Sequence, residues 1–468
     1  MQQNIIRRSL RNAAAATATI TLAGLAGLAF TGGAAQATEG YFQYGYGARQ
    51  GGLGGAGVAD SRDAMSLSLN PAGLVNAGHQ FQAGAALFMP YRGYTETGTN
   101  FLAPGTGPGG AGAVDSTSNI FAIPNMAYSR PIDLDSAWGV ALFGNGGMNT
   151  TYGNVTNASC PGFGFPGANG VFCGGNSGVD MMQAFISAGY ARRMGAFTVG
   201  VAPVIAIQRF KMEGVSAFGA VSSDRNNLTN NGYNWSYGGG VRGGVEVSLA
   251  PNFRLGLSGQ TRTWMTKLDK YKGLFAEQGG FDIPANFTVG LAWDATPAVT
   301  LMFDYKRIFY STIASVAHSG TIPAGAAGVP FYFGANQGAG FGWRDVDVFK
   351  VGVEWRASPT WTLRAGYAHN TNPIRSTDVT LNYLAPGVTT DHFTGGFSYK
   401  MAPKWTFDFA GAFVPRHRVS GPEALPGDFG GITAGSNITL AMNQYQFTGG
   451  LTYTFDTAPT RKSALVTK

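Results

Sequence analysis

The feature that most limits what this chain can fold into is a one-by-one alternation of apolar and polar residues along most of its length. It is clearest near the end. Tyr445, Phe447, Leu451, Tyr453 and Phe455 share one parity, and Gln444, Gln446, Thr448, Thr452 and Thr454 share the other. Trp405, Phe407, Phe409 and Phe413 alternate in the same way with Lys404, Thr406 and Asp408. So do Phe349, Val351, Val353 and Trp355 with Lys350, Glu354 and Arg356, and Val299, Leu301, Phe303 and Tyr305 with Thr300, Asp304 and Lys306. Strand side chains point alternately to opposite faces, so each segment has one apolar and one polar face. Beyond the first 30 residues no apolar run approaches the roughly 18 residues of a spanning helix.

The pattern predicts fourteen strands, at 78–91, 118–131, 137–149, 179–192, 196–212, 233–250, 252–268, 283–295, 298–312, 345–357, 360–371, 391–402, 404–419 and 438–455. An even count suits a bacterial outer-membrane barrel. The connections alternate in length, which says more. Short turns carrying Pro251, Pro297, Pro359 or Pro403 are interleaved with seven long loops, near 92–117, 150–178, 213–232, 269–282, 313–344, 372–390 and 420–437. Short turns belong to the periplasmic side and long loops to the outside. A soluble sandwich would use strands of about 5–6 residues, and these are far longer. Composition agrees: 71 of 468 residues are glycine and only 12% are charged, against roughly 7% and about 25% on average. The expected fold is all-β, a 14-stranded antiparallel transmembrane barrel over 78–455.

Residues 1–37 read as a cleaved signal peptide. Arg7, Arg8 and Arg11 precede an Ala/Leu/Thr/Gly stretch, and Ala35-Gln36-Ala37 is the small-x-small cleavage site. Arg7-Arg8 begins like a twin-arginine signal, but the residues after it depart from that motif. Loss of the signal lowers the formal charge from +7 to +4, and no Lys/Arg cluster suggests nucleic acid. Residues 456–468 form a short basic tail, expected in the periplasm. Cys160 and Cys173 lie close together in a Gly/Pro/Asn-rich segment, and in an exported protein they are expected to form a disulfide. No histidine or cysteine spacing suggests a metal, and no cofactor is expected.

Residues 38–77 break the strand rhythm. They hold Gly45, Gly47, Gly51, Gly52, Gly54, Gly55 and Gly57, then Met65, Leu67 and Leu69, then Asn70-Pro71-Ala72. A fourteen-strand lumen is wide enough to need filling unless it is an open channel, so 38–77 is read as a hatch, or plug. Gly52-Leu53-Gly54-Gly55-Ala56-Gly57 spells a dinucleotide fingerprint, but it has no βαβ context and is rejected. In the third strand Gly144-Asn145-Gly146-Gly147 places three glycines in four positions, which predicts a bulge or bend.

The hatch with Asn70-Pro71-Ala72, the fourteen strands and this interrupted third strand resemble the FadL/TodX outer-membrane transporters of long-chain fatty acids and aromatic hydrocarbons. The resemblance implies passive uptake of hydrophobic compounds and an inward kink at Gly144, Asn145, Gly146 and Gly147 that opens the wall for lateral release. It also implies a mature N-terminus that reaches the binding pocket, so Tyr41 and Phe42, with Met65 and Leu67 of the hatch, are the candidate solute contacts. Phe101, Phe163, Phe165, Phe172, Phe331, Tyr332, Phe333 and Phe341 supply an apolar capture surface in the long loops. Expected partners are hydrophobic small molecules, outer-membrane lipid and lipopolysaccharide, and the barrel-assembly machinery; a monomer is expected.

A water-filled porin is the competing reading, with Lys306, Lys350, Arg364 and Lys404 lining the pore. A barrel serving as adhesin or receptor is another. An enzyme is not expected, because His79, His318, His369, His392 and His417 are scattered with no nucleophile motif near them. A fatty-acid carboxylate would want a cation, and Arg92, Arg209, Lys211 and Lys267 stand near extracellular strand ends.

Overall fold

The computed structural model describes residues 38–98, 112–153, 155–158, 160–165, 169–321, 332–424 and 434–456. The signal at 1–37 and the tail beyond Asp456 lie outside them.

Fourteen strands run antiparallel in chain order. They are β1 (Gln80–Thr97), β2 (Gly112–Asp115 and, after a break, Phe121–Pro131), β3 (Ser136–Tyr152), β4 (Gly174–Met194), β5 (Phe197–Gly214), β6 (Asn234–Ala250) and β7 (Phe253–Gln260, with Trp264–Met265 beyond it). The second half comprises β8 (Asn286–Thr296), β9 (Val299–Ile308), β10 (Val346–Arg356), β11 (Trp361–Asn370), β12 (Asp391–Ala402), β13 (Trp405–Gly421) and β14 (Asn437–Thr454). β14 pairs with β1 from Gln80↔Thr454 to Thr97↔Asn437, which closes the barrel and leaves no free sheet edge at the seam. All fourteen expected strands are present. Several reach further outward than the sequence pattern suggested: β1 runs to Thr97 and β4 starts at Gly174. A bilayer is crossed by roughly 9–11 strand residues, so the 21 residues of β4 must project beyond it.

Alternation becomes orientation. Leu87, Val201, Ile205, Phe303, Val351, Phe447 and Leu451 are exposed on the outer face. Trp138, Trp293, Trp355, Trp361 and Trp405 ring the turn side, and Tyr91, Trp235, Tyr367, Phe393 and Tyr445 ring the loop side, as interfacial girdles require. The inward positions, including Gln82, Gln183, Asp304, Lys350 and Glu354, are polar and buried, and what buries them is the hatch.

Residues 38–77 fill the lumen through a short helix, α1 (Gly47–Gly52), and two helical turns at Ala64–Ser68 and Pro71–Gly73. Glycine lets this chain lie directly on the wall. Gly54 has φ +64, and a Cβ there would lie 3.0–3.1 Å from the Tyr367 backbone of β11. Ion pairs fix the middle of the hatch: Arg49 reaches Asp60 at 2.8 Å and Glu354 at 3.0 Å, and Arg254 reaches Asp60 at 2.7 Å. Asn70 is the hub at the turn side. Its amide donates to the Val58 carbonyl (2.7 Å) and the Val245 carbonyl (3.2 Å), and its side-chain oxygen accepts from Ala72 N (3.1 Å). The Asn-Pro-Ala triplet thus turns the chain and ties it to β6 before it enters β1.

Candidate functional site

The site lies where β3 leaves the wall. β2 and β3 pair only from Asn125↔Phe143 to Pro131↔Ala137. Above Phe143 the register against β4 slips between Gly144 and Gly146, leaving Asn145 as the bulged residue. Pairing toward β2 resumes at the loop end, where Thr117 N donates to the Thr151 carbonyl at 3.0 Å. Between these points the β2–β3 ladder is open.

Backbone groups at such a break need other partners, and the hatch supplies them. Phe42 and Gly146 form an antiparallel bridge. Gln43 N donates to the Asn145 carbonyl (3.1 Å) and Gly147 N to the Tyr41 carbonyl (3.0 Å). The Gln43 side chain donates to the Gly144 carbonyl (2.7 Å). A Cβ at Gly146 would strike the Tyr41 carbonyl, so only glycine permits this approach. The four kink residues and the two aromatic residues singled out from the sequence are therefore brought together.

Charge holds the same segment. Glu39 is fully buried, 2.7 Å from the Lys306 ammonium and 2.7 Å from the Lys350 ammonium. Burial by itself would push its carboxyl up, but the two ammonium groups outweigh that and hold it below the ordinary glutamate value. The Tyr310 hydroxyl donates to the Glu39 carbonyl (2.7 Å) and accepts from Tyr41 N (3.1 Å). Around Tyr41 stand Phe42, Phe281, Tyr310 and Trp343, with ring centroids 5.1–6.1 Å away. Burial pushes the Tyr41 hydroxyl pKa far up, so it stays neutral.

Three small cavities lie in and above the hatch. On the loop side an apolar one of about 20 Å³ is lined by residues that include Phe218, Phe275, Phe333, Phe341, Leu381 and Leu384. Beside the kink, one of about 10 Å³ runs between Gln43, Gly144, Ile123, Pro124, Asn125 and Phe143. A polar one of about 20 Å³ is bordered by Gln43, Arg242, Lys306 and Lys350.

The loop aromatic residues come out differently from the sequence expectation. Phe172, Phe333 and Phe341 are not an exposed capture surface but are buried, because the long loops fold over one another and remove these rings from water. Phe101 and Phe331 lie outside the described residues. Met65 and Leu67 are buried in the hatch. Leu67 packs against Gly139 and Gly189, at the turn side and far along the hatch from Tyr41. Lys306 and Lys350 are engaged by Glu39, and Arg364 by Glu354 at 2.8 Å, while Lys404 pairs with Asp456. Of the four cations near extracellular strand ends, Arg92 is buried on the lumen face; Arg209 pairs with Asp180 and Lys211 with Glu213. Cys160 and Cys173 are bonded, with Cα atoms 5.4 Å apart. Sequence reasoning passed over Glu39, Tyr310 and Trp343. Glu39 carried one signal, being the sole acid between residues 38 and 59.

A closed fourteen-strand barrel, its lumen filled by its own N-terminal segment and its wall interrupted beside that segment, defines a plugged outer-membrane channel. Residues 202–455 match the family model described as outer membrane protein transport protein (OMPP1/FadL/TodX), and the chain belongs to that family. The toluene transporter TodX of Pseudomonas putida is similar in structure, with TM-score 0.63 and 18% identity, covering 89% of this chain and 100% of that one. A FadL homologue of Pseudomonas aeruginosa gives 0.63 at 14% identity, covering 89% and 100%. The toluene transporter TbuX of Ralstonia pickettii gives 0.58 at 18%, covering 88% and 99%. No curated protein sequence matches the chain.

Proposed function

We propose that this protein carries hydrophobic compounds passively across the outer membrane and releases them sideways through the β2–β3 opening. The observation that carries the reading is that the hatch residues at the wall break, 41–43, also stand beside the buried aromatic cluster. A solute would enter by widening the small apolar cavity under the loops and pass to the rings around Tyr41. It would then leave past Gly144 once residues 38–43 shift. Aromatic walls suit both monoaromatic hydrocarbons and acyl chains, and the similar structures include toluene transporters and a FadL homologue. Met65 and Leu67 would serve the route by positioning the hatch. The reading also includes removal of residues 1–37, a monomer seated among lipid and lipopolysaccharide, insertion by the barrel-assembly machinery, and a periplasmic tail at 456–468.

The porin reading is weaker, because the luminal cations that a pore would use are spent on the hatch and on neighbouring carboxylates. The test is Gly144→Val. A Cβ there would lie 2.8 Å from the Ile123 methyl, so the larger side chain fills the cavity beside the kink. Uptake of labelled toluene and of a labelled long-chain fatty acid should fall to the level of cells lacking the protein, while heat-modifiable mobility shows an intact barrel. Undiminished uptake would refute lateral release.

A further inference from the structure

Among the described residues, Arg92 is a buried luminal cation that forms no ion pair with a carboxylate. It is 5% exposed on the inner face of β1. Its Nη2 donates to the Ser118 carbonyl at 2.8 Å, and its guanidinium carbon stands 5.6 Å from the centre of the Phe121 ring. Its Nε is buried without a partner, and among the described residues no Asp or Glu forms an ion pair with it. A guanidinium has five N–H donors in a planar fork, and a buried arginine that makes one hydrogen bond leaves most of that capacity unused. Elsewhere in the lumen buried arginines are more heavily engaged: Arg49 and Arg364 are each tied to a carboxylate, and Arg242 donates to the Leu67 and Ser68 carbonyls and to the Gln260 side-chain oxygen.

Its position gives the vacancy a direction. β1 is paired with β2 at Phe88↔Phe121 and again at Gly93↔Asp115, so Arg92 faces the break at 116–120. That break bridges to the loop end of β3, through Thr117 N to the Thr151 carbonyl and through the Ser118 and Thr151 hydroxyls at 2.8 Å. It forms the lintel of the wall opening, and Arg92 sits under it. On the outer face the neighbouring residue Tyr91 packs with Tyr445 in the loop-side girdle, at 6.3 Å between centroids. Girdle aromatics mark the membrane interface, so Arg92 lies at headgroup depth with the opening at Gly144–Gly147 below it, toward the hydrocarbon.

We infer that Arg92 is an anion-recognition site that holds the carboxylate of an amphipathic solute at the top of the β2–β3 opening. The inference rests on the lateral-release reading above. A carboxylate on the Arg92 fork would leave its chain directed down along the opening, which is the orientation an amphiphile takes in the outer leaflet. The solute would then enter the bilayer without turning over. Neutral aromatic hydrocarbons would use the same opening without engaging Arg92.

Equilibrium binding to the purified full-length protein in non-ionic detergent tests this, using dodecanoate and its neutral isostere dodecan-1-ol above the pKa of the acid. Charge-assisted hydrogen bonds are the strong ones, so Arg92→Gln should weaken dodecanoate binding by about tenfold to a hundredfold and leave dodecan-1-ol unchanged. Arg92→Lys, which keeps the charge, should recover part of the loss. Equal weakening of both ligands in Arg92→Gln would show that Arg92 only braces the lintel, and unchanged binding of both would also overturn the inference. Heat-modifiable mobility verifies the barrel in each variant. Failure of the wild-type protein to bind either compound would instead overturn the transport reading itself.

Discussion

Replacing Glu39 with glutamine should unlatch the hatch. The substitution keeps the shape but removes the negative charge that lies 2.7 Å from each of two buried ammonium groups. Lys306 and Lys350 have side chains only 9% and 3% exposed, so water cannot replace the lost partner. Removing one member of a buried ion pair costs about 3–5 kcal/mol, because the remaining charge is stranded. Five hydrogen bonds would still hold residues 39–43: three to the β3 backbone and two through Tyr310. At about 1 kcal/mol each, they contribute an amount comparable to the loss. The docked segment therefore loses most of its advantage, and the ratio of docked to released states falls by roughly a hundredfold to a few thousandfold. In planar bilayers the wild type should be nearly silent, and Glu39→Gln should show frequent open bursts. Adding Lys350→Met to Glu39→Gln removes one stranded cation and should restore part of the silence. A silent single variant whose N-terminal segment resists protease as well as the wild type does would refute the latch. The pH dependence has a definite sign. The folded-state pKa of Glu39 is depressed, so its contribution is fully present above the ordinary value of 4.5 and is lost only as pH falls below that through the lowered value. The conductance difference between wild type and Glu39→Gln should therefore stay constant from neutrality down to 4.5 and shrink only in stronger acid.

Two further outcomes follow from the anchoring contacts. Asn70→Ala removes three hydrogen bonds at the turn side and should destabilise hatch docking by about 1–3 kcal/mol, read as faster proteolysis of the hatch in an intact barrel; an unchanged cleavage rate would argue against the hub role. Replacing Cys160 and Cys173 with serine should cost about 3 kcal/mol of local loop stability, seen as new cleavage between residues 153 and 174 with heat-modifiable mobility preserved; resistance equal to the wild type would refute it.

The wall was legible in the sequence because two solvents meet it. Lipid requires Val351 and Phe447 to be apolar, and the filled lumen requires Lys350 and Gln446 to be polar, so the parity survives in every strand. The hatch showed itself by interrupting that rhythm, and the kink by three glycines that a regular strand would not use. The latch did not show, because Glu39 meets lysines 267 and 311 positions away, and no local pattern records a contact made by barrel closure. The same limit hid the burial of Phe333 and Phe341, which depends on how separate loops fold together. Arg209 and Arg92 were separable in principle: Arg209 shares parity with the exposed Val199, Val201 and Ile205, and Arg92 with the buried Ala86 and Phe88.

On the lateral-release proposal, the bridge between Phe42 and Gly146 couples the permeability barrier to the side opening. The same short peptide begins the plug and covers the break in the wall, so variation there that loosens one also loosens the other. On that proposal, a strain that gained faster hydrocarbon uptake by weakening residues 38–43 would at the same time admit more polar toxins, such as hydrophilic antibiotics, through the loosened plug. Growth on a scarce apolar nutrient and survival among such toxins would pull on the same few residues in opposite directions.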